Sequence, residues 1–305
     1  MRAVGDAAVR DEVRDGVHFQ ITGCGDRSIV LIHGFSDNLS TWRRVVPALA
    51  AHYRVIAIDL PSHGRSTRRW CDPLLGSYAD VIAEVLDACD VHGPVGLLGH
   101  SMGGSVACLF AERHAERVDA IVLIGMPGLG PVPRAWRIAA SRPAQLALHA
   151  ALLPLPFPPL MAVCGWAYTH AGAPRSRGID PTAVTAYLAS FPDRASLLAL
   201  QPLGRAFMHG LLTARLNSVL EALPMPVLSV WGRNDPIVPA RHAPRNRADV
   251  AILSGCGHCP HLDAPEQVLQ HVLPFLAAAH AGASATQTAA SEEEVPTTAD
   301  IAGVG

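Results

Sequence analysis

Pro94-Val-Gly-Leu-Leu98 runs into Gly99-His100-Ser101-Met102-Gly103-Gly104-Ser105, and the reading of this stretch decides the fold. An apolar run of strand length delivers a serine with a glycine two residues away on each side. The small residues beyond it, Gly103, Gly104, Ser105 and Ala107, suit a helix packed closely on a sheet, while Val106, Leu109 and Phe110 recur at helical spacing on its buried face. The spacing predicts a sharp strand-to-helix corner with Ser101 strained at its apex, the glycines leaving room where strand and helix cross. G-x-S-x-G also arises by chance in a chain rich in Gly, Ala and Ser, so its surroundings decide its meaning.

Working outward, Ser28–Ile32 and Arg54–Asp59 are short apolar runs of the buried parallel-strand kind. Val13–Ile21 alternates loosely as a first strand. Helices are expected from about Thr41 to Ala51 and from Tyr78 to Cys89. Downstream, Val118–Ile124, Pro226–Trp231 and Val250–Ser254 read as strands, with helices expected over 239–247 and 265–279. Strand alternating with helix predicts an α/β fold: a mostly parallel central sheet with helices on both faces, built from residues 1–125 and 224–281. The alternation stops over 126–223, a proline-rich apolar segment expected to form a helical cap. Within it, Pro143 to Pro174 contains no Asp, Glu, Lys or Arg, but five prolines between 143 and 159 argue against a membrane-spanning helix. The expected role of the cap is to line a substrate cleft, with lipid-surface contact left open. Residues 282–305 are poor in large apolar side chains and are expected to be a disordered tail.

The composition narrows the chemistry. Half of the 305 residues are apolar and the net charge is −2, so a large core is available and nothing invites nucleic acid. Every basic side chain is arginine, a pattern that fits a GC-rich bacterial genome; the absence of lysine removes Schiff-base, pyridoxal-phosphate and P-loop chemistry. The seven scattered cysteines read as reduced thiols, and Met1 to Asp15 lacks the apolar core of a secretory signal, so the cytoplasm is the expected location.

Four polar features fall just past strand ends and would share one rim of the sheet: His33-Gly34-Phe35, Ser101, Asp235 and His258. A serine hydroxyl needs a base to take its proton, and a histidine can act as one if a carboxylate fixes its tautomer. Ser101, His258 and Asp235 fit those roles. The backbone N–H groups of Phe35 and Met102 are placed to receive an oxyanion. Among rivals, His261 falls at the start of the last helix, Asp59 belongs to a loop motif, and Asp263 follows the histidine; His33, His63 and His100 read as supporting or cleft-lining. Cys256, His258, Cys259 and His261 resemble a metal knot in spacing only, since they lack the second ligand pair of a structural site. No metal and no cofactor is expected.

From about Ile29 to Leu276 the chain resembles the α/β-hydrolases of the esterase, lipase and C–C hydrolase type. The matching pieces are His33-Gly34-Phe35, Asp59-Leu-Pro-Ser-His-Gly-Arg-Ser66, Gly99-His-Ser-Met-Gly103, Gly232-Arg-Asn-Asp-Pro236 and Gly257-His-Cys-Pro-His261. The order Ser, Asp, His along the chain is the one associated with that family. The resemblance implies a serine hydrolase that cleaves a small apolar ester through an acyl-enzyme. Its rivals are a C–C hydrolase of the meta-cleavage type, an acyltransferase or perhydrolase, and a non-catalytic binding protein. Ser62 stands where the family usually has glycine, and the serine at the elbow separates the chain from the aspartate chemistry of haloalkane dehalogenases and epoxide hydrolases.

Overall fold

A computed structural model describes residues 9–172 and 181–293. Its eight strands are β1 (Arg10–Arg14), β2 (Val17–Thr22), β3 (Ser28–Ile32), β4 (Arg54–Ile58), β5 (Val95–His100), β6 (Val118–Ile124), β7 (Val227–Gly232) and β8 (Asp249–Leu253). They form one sheet in the order β1-β2-β4-β3-β5-β6-β7-β8. β3 to β8 are parallel, and β2 runs antiparallel to both β1 and β4. The chain moves from β3 outward to β4, then returns past β3 to β5. The loops after β3 and β5 therefore part at the reversal of strand order, where open α/β sheets bind ligands.

The apolar runs are continuous because both faces of the sheet are covered. In β3, Val30 and Ile32 join one buried cluster and Ile29 and Leu31 the other; in β6, Ile121 and Leu123 part in the same way from Ala120, Val122 and Ile124. The first face is covered by α2 (Leu74–Ala88) and α3 (Met102–Arg113). The second is covered by α1 (Val46–Ala50) and by α12 (Pro265–Glu293), which follows the short α11 (Pro260–Asp263).

The segment between β6 and β7 holds α4 (Arg134–Ala139), α5 (Arg142–Leu152), α6 (Phe157–Gly172), α7 (Pro181–Leu188), α8 (Arg194–Leu198), α9 (Leu200–Thr213) and α10 (Leu216–Ala222). The last two differ from the rest. α9 packs on α2 and α10 on α3, and Leu203, Phe207, Leu211 and Leu216 are buried in the core cluster itself. These two helices, inside the segment 126–223, therefore pack against the core layer. Among the described residues no helix is long and apolar enough to cross a membrane.

Other differences have local causes. The expected single first strand is a hairpin, because Asp15 and Gly16 take φ of 48° and 77° and form a tight turn between β1 and β2. The expected helix over 41–51 is a 3-10 turn at Leu39–Trp42 followed by α1, which starts at Val46 with Pro47 in its first turn. The expected helix over 239–247 is reduced to one 3-10 turn, Ala240–His242, since Pro244 supplies no donor and restricts Ala243. The backbone of α12 continues to Glu293, into the stretch expected as a disordered tail, where alanine and glutamate favour helix; residues 294–305 lie outside the described residues.

Candidate active site

Ser101 sits between β5 and α3 with φ 51° and ψ −118°, a conformation that costs a side-chain-bearing residue roughly 1–3 kcal/mol. The corner is held by two hydrogen bonds, Ser101 N–H to the Ile124 carbonyl (2.8 Å) and Gly104 N–H to the Ser101 carbonyl (3.0 Å). The flanking glycines are required by contact rather than by dihedral angle. A Cβ on Gly99 would lie 2.4 Å from the Gly103 carbonyl oxygen, and one on Gly103 would lie 2.1 Å from that of Ile32.

The loop after β3 approaches this corner. A Cβ on Gly34 would be 3.2 Å from the Ser101 Cβ. Two buried histidines brace the loop. His33 accepts the Leu60 N–H at Nε2 (3.0 Å) and so donates from Nδ1 to the Gly34 carbonyl (2.8 Å). His63 accepts the Ser36 N–H at Nε2 (3.3 Å) and donates from Nδ1 to the Pro61 carbonyl (3.1 Å). Burial pushes the His63 imidazole down to about 3, in keeping with a neutral acceptor. Phe35 stacks on Phe207 of α9 at 5.8 Å between ring centroids, which anchors the loop after β3 to the helix layer.

On the other side, His258 Nδ1 donates to Asp235 Oδ2 at 2.8 Å, both side chains being buried. Asp235 Oδ1 takes the N–H groups of Ile237 and Val238, each at 2.8 Å, so the carboxylate is fixed at both oxygens. With its proton on Nδ1, the imidazole leaves Nε2 as a base. Gly125, at φ 56° just past β6, lies against this pair: a Cβ there would be 3.3 Å from His258 Nδ1 and 3.4 Å from Asp235 Oδ2. Behind His258, His100 donates from Nε2 to the His258 carbonyl (3.0 Å), and Asp263 accepts the Gly257 N–H (2.9 Å), so the loop is held along its backbone as well as at the ring.

The remaining rivals have other partners. His261 bonds Thr41 Oγ1 (2.9 Å), and burial pushes its imidazole down to about 3. Asp59 accepts from Leu39 N–H (2.7 Å), Arg65 N–H (2.8 Å) and His18 Nδ1 (2.7 Å), which ties β2, the 3-10 turn after β3 and the loop after β4 together. Cys256 contacts the Ser254 carbonyl and Cys259 contacts His100. Among the described residues no group of three or more His, Cys, Asp or Glu is arranged to hold a metal ion. Ser62, at the usual glycine position, does take φ 63°, and its hydroxyl accepts the Trp70 N–H at 3.1 Å.

Ser101, His258 and Phe35 all line one cavity of about 680 Å³ between the sheet rim and the cap. Its walls are mainly apolar, with Trp136, Leu148, Leu152, Leu160 and Met208 among them, and no arginine is among the described lining residues. Met102 is fully buried behind the serine. Sequence reasoning missed Asp37, a buried carboxyl in the cavity wall whose pKa is raised chiefly by desolvation, although its place three residues after Gly34 could have marked it. It also missed Tyr168 and Tyr187, which stack at 4.1 Å and line the same wall, for which the sequence gives no signal.

The family described as the alpha/beta hydrolase family matches residues 29–271. A dihydrolipoyllysine-residue acetyltransferase component of an acetoin cleaving system from Pseudomonas putida is 33% identical over 85% of this chain and 65% of its own length. A pimeloyl-[acyl-carrier protein] methyl ester esterase from Nitrosomonas europaea is 30% identical over 82% of this chain and 96% of its own. Among solved structures, a 2-hydroxy-6-oxo-6-phenylhexa-2,4-dienoate hydrolase from Rhodococcus superposes with a TM-score of 0.71 at 20% identity, covering 88% of this chain and 99% of that one.

Proposed function

The chain belongs to the α/β-hydrolase family, and from that premise we propose that it is a serine hydrolase cleaving an ester of a neutral, largely apolar acid or alcohol. The observation that carries this reading is that His258, hydrogen-bonded to Asp235, lines one apolar cavity together with a serine held at a strained strand-to-helix corner.

In the first half-reaction His258 Nε2 takes the Ser101 proton as Oγ attacks the ester carbonyl. Asp235 holds the imidazole in the Nδ1–H form and steadies the imidazolium. The oxyanion is received by the N–H groups of Met102 and Phe35; donors of this kind are worth about 3–4 kcal/mol each where they have been measured. His258 then gives its proton to the departing alkoxide, leaving the acyl group on Ser101. In the second half-reaction the same imidazole activates water, the acyl–Oγ bond breaks, and the acid leaves.

The lining favours an ester over the C–C bond alternative. The substrate named for the Rhodococcus relative is a dienoate, and an anionic acid calls for a cation in its pocket. Here the described lining offers no arginine and instead carries the Asp37 carboxyl. An acyltransferase would share the first half-reaction and differ only in what meets the acyl-enzyme.

A panel of p-nitrophenyl esters of increasing acyl length tests the proposal. Turnover should rise into medium chain lengths as the apolar cavity fills, and Ser101→Ala should lower it by about 10⁴-fold or more with the fold intact. Undiminished turnover in Ser101→Ala would overturn the mechanism.

A further inference from the structure

We propose that the outer face of cap helices α5 and α6 docks on an anionic lipid bilayer. Docking stands on the geometry of the cap; only its purpose, the delivery of an apolar ester, rests on the esterase reading.

Each of the two helices carries two separate stripes. On α5, Gln145, Leu148 and Leu152 stand at i, i+3 and i+7 and line the cavity, whereas Arg142, Leu146, His149 and Leu153 follow at helical spacing on a solvent-facing stripe. On α6, Leu160, Cys164 and Ala167 line the cavity, whereas Val163, Trp166 and His170 face outward. A helix on a soluble core turns mainly charged residues to water on its second face; these turn leucine, valine and tryptophan beside Arg142, His149 and His170. Leu146 is 72% exposed and Trp166 63%. Of the ten exposed large apolar side chains among the described residues, seven fall between Ile138 and Trp166, and six of these, all but Leu148, lie off the cavity lining. That concentration marks an interaction surface rather than scattered exposure.

Charge selects the occupant. From residue 120 to 179 the sequence holds no Asp or Glu, while Arg134, Arg137 and Arg142 stand exposed beside the apolar stripe. A second copy of the chain meeting this face across a two-fold axis would set arginine against arginine, with no Asp or Glu in residues 120–179 and only Asp193, beside the Arg194 that bonds the Leu153 carbonyl, at the edge of the face. An anionic bilayer answers both properties at once. Its headgroups neutralise the arginines, its acyl region takes the leucines, and Trp166 sits at the depth that indole prefers. The cavity wall is the inner side of the same two helices, so a lipid-soluble substrate would cross one helix layer from the membrane to Ser101.

The test uses the full chain with Ser101→Ala, so that no lipid is consumed, sedimented with phosphatidylcholine vesicles with and without phosphatidylglycerol. The protein should partition onto the phosphatidylglycerol vesicles about tenfold or more strongly than onto pure phosphatidylcholine. Binding should fall by about tenfold or more in Leu146→Ser/Leu153→Ser/Trp166→Ser, and again in Arg134→Ser/Arg137→Ser/Arg142→Ser. With Ser101 restored, both triple variants should keep wild-type turnover of a soluble short-chain ester, which shows that they are folded. Absence of vesicle binding, equal binding by the apolar triple variant, or a dimer abolished by it would each overturn the docking. Vesicle binding without turnover of any ester would retain the docking and remove the esterase reading.

Discussion

Core and cap are built from the same apolar residues and put them to opposite use. In β3 and β6 every side chain is buried, and each face of the strand is met by its own helix layer. In the cap, α4 and α5 bury no residue fully, the packed centre is a small cluster of Leu160, Phe191 and Leu197, and an open cavity lies beside it. Tight packing fixes the backbone at the elbow to within a contact distance. Loose packing leaves a volume that a substrate can fill. Rigidity where charge develops and slack where the acyl group lies is the division that a hydrolase of apolar esters needs.

Glycine substitutions offer the largest test of this contrast. Gly103→Ala would drive its Cβ to 2.1 Å from the Ile32 carbonyl oxygen, a backbone atom in the central sheet that cannot swing away. A loss of about 3 kcal/mol or more in denaturant unfolding is expected, together with loss of activity. Gly165→Ala, inside α6, meets only the ends of Val184 and Leu188 side chains at 3.2 and 3.3 Å and gains helix propensity, so its stability should stay within about 1 kcal/mol of wild type. Equal costs would erase the distinction between the two regions.

Truncation of buried leucines comes next in size. Leu98→Ala in β5 removes a side chain that is 1% exposed and locked in the larger packing, and should cost about 3–5 kcal/mol. Leu160→Ala removes one member of a cluster of three buried residues beside an existing cavity, and should cost about 2 kcal/mol or less while shifting ester preference toward longer acyl chains. A chain-length profile unchanged by Leu160→Ala would place the acyl group elsewhere.

The smallest effect is a pH dependence confined to the core. Burial pulls the His18 imidazole down, but hydrogen bonds to Asp59 (2.7 Å) and Asp11 (2.6 Å) outweigh it and raise its pKa overall. A raised folded value means that the His18 contribution is fully present below the ordinary histidine value of about 6.5 and is lost as pH rises through the folded one. Asp11 is held down at about 2, first by its hydrogen bond to His18, so its contribution is present above the ordinary carboxylate range and fades as pH falls toward that value. The melting temperature should therefore decline on the alkaline side in the wild type. His18→Gln should lower it at neutral pH and flatten that alkaline slope; an unchanged slope would mean that the network is not the cause.

The same contrast explains what could be read in advance. The parallel strands and the elbow were legible because a strand buried on both faces must be apolar throughout, and because polar residues at strand ends cannot belong to the core. Ser101, Asp235 and His258 stand out for that reason, and the structure brings the last two within 2.8 Å. Individual cap helices were not legible, since two apolar stripes on one helix blur the 3.6-residue period on which such reading depends. The hairpin turn is encoded by Asp15-Gly16, a short signal masked by the alternation on either side of it. Asp37, Tyr168 and Tyr187 converge on the cavity only through the relative placement of a loop and two cap helices, which no local pattern encodes.

Gly125 follows β6 directly and begins the passage toward α4, so the seam between the two regions also lies against the acid–histidine pair. A segment joined downstream of this residue would leave the Asp235–His258 hydrogen bond untouched. Joined across it, any side chain brought in with the graft would press on the imidazole. On the proposed mechanism, an exchange that leaves Gly125 with the core would alter substrate range without altering turnover.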